Sequence, residues 1–196
     1  RRPTIKDMYL WRPANAELEP ERIWNYELAW KRSPSTAFKY GVNLFYLKGD
    51  NMIQTQMTEG IPLNVNTGAL ENYGVEANVG ANLSQSWSVS ANASGLKMKN
   101  PVLGAPELKV SASVSHHSGP FSITATGTQI RGLYLSLGDD PDKENVFLLG
   151  LTSGYSLSGA VSLWARGENL LARKYQIISG YPMPRATLMC GISISL

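Results

Sequence analysis

The side chains able to do chemistry are few and scattered in this chain of 196 residues. His116 and His117 are adjacent, and neighbours in an extended chain point to opposite faces, so they do not share a metal. Both border a turn signal, which makes them interface histidines. Asp139, Asp140, Asp142 and Glu144 crowd a stretch whose oxygens suit Ca²⁺, but the loop spacing with a central Gly is missing, and a solvated loop is expected. Cys190 is the single cysteine. Set among Leu188, Ile192 and Ile194, it reads as a small apolar surface residue facing away from both histidines. No nucleophile, base and orienter come together, so no enzyme activity, metal site or cofactor is expected. The remaining candidates are polar. Glu76, Asn78, Arg166 and Glu168 fall on the polar faces of alternating segments, where hydrogen bonding to neighbours is their first role. Arg131, Tyr134, Tyr175 and Tyr181 sit near loops, where stacking and charge suit an aromatic or anionic ligand.

These residues are carried by long alternating segments. From Tyr73 the odd positions are Val75, Ala77, Val79, Ala81 and Leu83, and the even ones are Gly74, Glu76, Asn78, Gly80 and Asn82. Beyond Ser84-Gln85-Ser86 the pattern resumes with Trp87, Val89, Ala91 and Ala93 against Ser88, Ser90, Asn92 and Ser94. Such alternation predicts a hairpin with one apolar and one polar side. Soluble sandwich strands usually run about five or six residues. Arms of roughly ten in succession suit a transmembrane β-barrel, with Val75, Val79, Val89 and Leu149 toward lipid and Asn78 and Asn92 toward a hydrated interior.

The same alternation predicts strands at Ile23–Arg32, Phe38–Lys48, Leu108–Ser115, Phe121–Thr128, Phe147–Tyr155, Val161–Glu168 and Leu188–Leu196, nine in all. Phe45 and Leu47 break it, and Gly49–Asn66 reads as a long connection. Residues 1–20, with Pro3, Pro13 and Pro20, read as an outward loop segment. Short turns near 34, 85, 119 and 158 alternate with longer loops near 57, 103, 140 and 178, an outer-membrane asymmetry. Trp30, Phe38, Trp87, Phe121 and Tyr155 all flank short turns, as an interfacial girdle does. The hydrophobic content of 43% and net charge of +3, with mean hydropathy of −0.17, lie within the globular range, because barrel strands spend half their residues on a polar interior. No apolar run is long enough for a membrane helix. No basic cluster supports nucleic-acid binding. The chain opens Arg1-Arg2-Pro3 without Met or a signal segment and has an odd strand count, so it is expected to be a piece of something longer.

Several motifs in order resemble the C-terminal part of TonB-dependent outer-membrane receptors, in their Bacteroidetes-like form. They are Arg2-Pro3-Thr4-Ile5-Lys6-Asp7-Met8-Tyr9; Leu18-Glu19-Pro20-Glu21 with Tyr26-Glu27-Leu28, followed by Ala29 where the family has Gly; and Phe45-Tyr46 with Asp50-Asn51-Met52-Ile53. Asn66-Thr67-Gly68, Tyr73-Gly74-Val75-Glu76 and Glu168-Asn169-Leu170-Leu171 with Tyr175 complete the series. The resemblance implies the last nine strands of a 22-stranded barrel in the bacterial outer membrane, filled by an N-terminal plug outside this sequence. It implies TonB, reached through the plug, and a scarce small-molecule or metal-chelate ligand of the iron-siderophore, haem or cobalamin class as partners. A passive porin-like channel and a non-transport barrel, an enzyme or adhesin, are the alternatives.

Overall fold

The computed structural model describes residues 1–10, 14–58 and 60–195. Pro13 and Leu196, used above, lie outside them. After helix α1 (Ile5–Tyr9) come the strands β1 (Arg22–Ser35), β2 (Phe38–Thr58), β3 (Ile61–Asn82), β4 (Trp87–Met98), β5 (Leu108–Ser118), β6 (Phe121–Tyr134), β7 (Lys143–Ser156) and β8 (Val161–Glu168). A small hairpin, β9 (Gln176–Ile178) and β10 (Tyr181–Pro182), precedes β11 (Thr187–Ile194). Nine strands form one sheet in the order β1-β2-β3-β4-β5-β6-β7-β8-β11, so among the described residues β1 and β11 each keep one unpaired side. The up-and-down order and nine-strand count agree with the expectation from alternation. Pro34 is tolerated near the end of β1 because an edge strand does not need every N–H.

Two expectations are corrected. Gly49–Asn66 is strand rather than a long connection, since β2 runs to Thr58 and β3 begins at Ile61. Ile61, Leu63 and Val65 do alternate with Pro62, Asn64 and Asn66, but in Gly49–Thr58 the apolar Met52 and Ile53 are consecutive within a polar run and hide the period. Polar pairs link the strands there, such as Thr55 Oγ1 to Asn64 Oδ1 at 2.7 Å and Gln54 Nε2 to Thr67 Oγ1 at 2.9 Å. Residues 1–20 are also not all loop. Thr4 caps α1, accepting from the Asp7 N–H at 3.1 Å while the Asp7 carboxylate accepts from the Thr4 N–H at 2.8 Å. This reciprocal capping box satisfies two donors that a helix start leaves without partners.

The strands divide into two compact units, Arg1–Leu28 with Leu44–Gly74 and Lys97–Asn100, and Ala29–Asn43 with Val75–Leu96 and Pro101–Leu196. In the first, the segment before β1 is fastened to β2 and β3 by side chains. Asn64 donates to the Asp7 carbonyl at 2.6 Å, Asn15 donates to the Asn64 carbonyl at 2.8 Å, and Asn66 bonds the backbone of Glu19 on both sides. Glu21, 8% exposed, takes Arg1 Nε at 2.6 Å and the Ile53 N–H at 3.0 Å. Burial disfavours its charge, but the bonds from Arg1 and Ile53 prevail and hold the carboxyl below its ordinary range.

In the second unit the register separates two faces. One row runs Val89, Val114, Ala125, Leu151, Gly167 and Leu188 from β4 across to β11. The adjacent row runs Ser90, Ser113, Thr126 and Gly150. Hydroxyls couple across the polar side: Ser90 with Ser113 at 2.8 Å, Ser111 with Thr128 at 3.0 Å and Ser115 with Thr124 at 2.9 Å. Cross-strand pairs of this kind contribute roughly 0.2–1 kcal/mol each. Among the described residues no second layer buries the apolar face. Val114 is 45% exposed, Leu188 79% and Ile192 65%. A continuous apolar surface of this kind needs a nonaqueous neighbour, which lipid supplies.

Candidate functional site

Chemistry in the second unit concentrates on the polar face, where the connection after β8 turns back over it. Gly167 pairs with Leu151 and with Leu188, and Leu170 still donates to the Leu149 carbonyl at 2.9 Å. Asn169 then takes a left-handed backbone, φ 47°, which Asn tolerates better than most residues. It is 7% exposed. Its amide donates to the carbonyls of Arg173 at 2.9 Å and Pro184 at 3.1 Å, while its Oδ1 accepts from the Arg173 N–H at 3.0 Å. One side chain therefore ties together both limbs of the connection that holds β9 and β10. Farther along, the Gln176 N–H reaches Glu144 Oε2 at 3.0 Å, anchoring the hairpin to β7.

Between this connection and the faces of β5 to β8 lies a cleft of about 540 Å³. Arg166 and Glu168, two residues apart on β8 and so on one face, form an ion pair at 2.6 Å. Both line the cleft, as does Tyr175. Glu76 and Asn78 line a separate hollow, with Asn92 and Lys109, farther along the same face. The four polar-face candidates thus share a face but fall into two hollows.

The loop candidates separate. Tyr134 is 7% exposed, donates to Glu107 Oε1 at 2.8 Å and carries Lys143 Nζ 4.2 Å from its ring centre. Its ring and hydroxyl are both engaged by neighbours, which leaves no face for a ligand to stack on. Lys143 also bonds Glu107 at 2.8 Å. Gly132, φ 64°, closes the same cluster, because a side chain there would run into Glu107. Arg131 pairs with Leu108, two positions past Gln129 opposite Val110, and strand alternation puts it with them on the face opposite the cleft. Tyr181 is 71% exposed in β10. Of the four, Tyr175 alone lines the cleft.

His116 and His117 also diverge. His116 packs on Trp87, ring centres 4.4 Å apart, in the apolar rows, and His117 lines a hollow with Ser115 on the polar side. Asp142, in the acidic loop, closes a turn through the Leu135 and Ser136 N–H groups and Ser136 Oγ. Lys109 and Arg185 were not singled out by pattern, and Asn169 stood only as part of the Glu168-Asn169-Leu170-Leu171 motif. Nothing local marks Lys109 or Arg185, which are distant in sequence and line one cleft only through the fold.

Solved structures with this architecture include a copper transporter, OprC, with a TM-score of 0.83 at 14% identity, covering 100% of this chain and 36% of that one. The ferric enterobactin receptor of Pseudomonas aeruginosa, PfeA, matches with a TM-score of 0.77 at 17% identity over 93% of this chain and 32% of that one. The ferric-catecholate import receptor Fiu of E. coli K12 matches at 0.67 and 18% over 90% and 28%. At these identities the likeness is one of fold. This chain spans about a third of their length. No curated protein matches the sequence. A family model described as TonB dependent receptor-like, beta-barrel matches residues 1–170, and with the two-faced nine-stranded sheet this shows that the chain belongs to the TonB-dependent receptor β-barrel family of the bacterial outer membrane.

Proposed function

We propose that this chain is the C-terminal barrel portion of a receptor that imports a scarce ligand across the outer membrane with energy relayed from TonB. The observation that carries the reading is the family match across residues 1–170. Relatives of the same fold are named as a copper transporter and as ferric enterobactin and ferric-catecholate receptors, so a metal-chelate ligand, iron-siderophore first and haem or cobalamin beside it, is the class to test. The family is one of transport receptors rather than enzymes. On this reading residues 21–196 carry the barrel strands, with the turns at 36–37, 83–86, 119–120 and 157–160 toward the periplasm and the other connections, with Glu21, outside the membrane. Residues 1–20 lie outside the cell, with Asp7, Asn15 and Glu19 docked on the outward extensions of β2 and β3. Glu76, Asn78, Arg166 and Glu168 face the lumen and meet the plug that the rest of the receptor supplies, and Tyr175 and Tyr181 are the outward aromatic contacts.

Growth of a receptor-deleted strain complemented with the intact gene tests this. Ligand-dependent rescue across ferric siderophores, haem and cobalamin is expected, and it should vanish when TonB is deleted. Rescue that persists without TonB and extends to unrelated small solutes would favour the porin-like alternative instead.

A further inference from the structure

The cleft beneath the β9–β10 hairpin has the chemistry of a site in its own right. Three cationic side chains, Lys109, Arg166 and Arg185, line it against one carboxylate, Glu168. That carboxylate is already held by Arg166 at 2.6 Å. Among the described residues, Lys109 and Arg185 have no ion-pair partner; Arg185 spends only its Nε, on the Ala172 carbonyl at 3.2 Å. Among the described residues of the cleft the positive charge is thus in surplus; Glu76 shares the neighbouring hollow with Lys109 but forms no ion pair with it. Hydroxyls supply the floor, with Ser111 and Thr128 paired to each other and Thr126 and Thr152 beside them. Tyr175, Ile177 and Met183 supply an apolar wall from the connection. A volume of about 540 Å³ falls within the range of small-molecule pockets, roughly 300–1,000 Å³.

We infer that this cleft binds a small organic anion, a carboxylate on an apolar or aromatic body, with Lys109 and Arg185 on the charge and Tyr175, Ile177 and Met183 on the body. A cationic ligand is disfavoured because Glu168 is already paired and faces surplus positive charge. A purely inorganic anion would leave the apolar wall unused. A neutral sugar would use the hydroxyl floor but leave both free cations without a partner. The inference rests on the import reading, in which Tyr175 is an outward contact, but binding to the cleft is measured whether or not the receptor is energised, so its failure leaves the growth test of import untouched.

The test uses the intact receptor in detergent micelles with 4-fluorobenzoate as probe, observed by fluorine NMR, and the neutral 4-fluorobenzamide and empty micelles as controls. Saturable broadening of the benzoate beyond both controls is expected. Lys109→Gln and Arg185→Gln should each weaken it about three- to tenfold, as loss of a charge-assisted bond does. Arg185→Lys should retain most of it, and Lys39→Gln, on β2, should leave it unchanged. Heat-modifiable gel migration verifies that each variant is folded. Should Arg185→Gln loosen the connection and fail that check, Lys109→Gln decides alone. Broadening equal to that of the amide, or indifferent to Lys109→Gln, overturns the assignment.

Discussion

Trp164 lies flat across Gly191, its partner on the neighbouring strand, with indole Cζ2 2.7 Å from where a Cβ on Gly191 would stand. The row continues through Gly154, where an added Cβ would meet Ser122 Oγ at 2.8 Å. An aromatic side chain on the polar face is therefore accommodated by the absence of side chains beside it. Gly191→Val should force the ring away and cost about 1–3 kcal/mol, as overpacking does. Denaturant unfolding of the intact receptor measures the loss. In a Trp164→Ala background the penalty should largely disappear, giving a coupling of roughly 0.5–3 kcal/mol. Additive losses would mean that the ring and the glycine do not constrain each other.

Asn169 governs the connection over the cleft. Removing its amide leaves the Arg173 N–H and the Arg173 and Pro184 carbonyls without their partner. Asn169→Ala should therefore raise exchange at the Arg173 amide and loosen residues 172–185 by about 1–3 kcal/mol, the cost of unpaired buried groups. Asn169→Gly separates the two causes, because Gly takes φ 47° without strain yet makes none of the bonds. If Gly restores protection, backbone conformation and not the hydrogen bonds holds the loop.

The strands from Tyr73 to Met98 were legible in the sequence because their two faces meet different surroundings, and a period of two records that difference. The stretch Gly49–Asn66 was not, since Met52 and Ile53 are consecutive apolar residues in a polar run that hides the period, and its strands are linked by pairs such as Thr55 with Asn64. The α1 capping box was visible as Thr4 and Asp7 three apart, but the prolines around it dominated the local reading. Arg166 and Glu168 could be placed on one face from spacing alone. Lys109 could not be placed near Arg185, because their meeting depends on a connection folding back over the sheet, which no local pattern encodes. Tyr134 looked available for the same reason: its partners come from elsewhere in the chain, Lys143 on β7 and Glu107 just before β5.

Acid should free the segment before β1. The Asp7 carboxyl is held below its ordinary value by the Thr4 N–H, then by the Thr4 hydroxyl, with Arg1 adding to both. Glu21 is lowered against the opposing effect of burial by Arg1 and the Ile53 N–H. Groups whose folded values are depressed contribute stability that is complete above their unfolded values, about 3.9 for Asp and 4.3 for Glu, and lost as pH falls through the lower folded values. Hydrogen exchange at the Met8 and Leu10 amides, corrected for intrinsic rates, should show protection flat from pH 7 to about 5. It should collapse below about pH 4. Glu21→Gln should flatten much of that response. Protection that fell instead between pH 7 and 5 would assign the clamp to other groups.

The two faces of β5 should differ sharply in their tolerance of charge. Val114 lies between Val89 and Ala125 in an apolar row, whereas Ser113 lies between Ser90 and Thr126 in a polar one. Both are near the middle of the span: five residues past the Gly119 turn, at about 3.3 Å each and tilted about 40°, come to roughly 12 Å, half of an apolar band about 25 Å tall. Val114→Arg puts a guanidinium into hydrocarbon at its deepest point and should cost about 2–4 kcal/mol. Ser113→Arg places the same group in the hydrated lumen and forfeits mainly the hydroxyl bond to Ser90, about 1 kcal/mol. Unfolding of the two variants of the intact receptor in liposomes measures the difference, and detergent micelles, which deform around a charge, should shrink it. Equal costs on the two faces in liposomes would mean that the row through Val89, Val114, Ala125 and Leu151 does not face lipid, and the membrane orientation of the sheet would have to be reversed or abandoned.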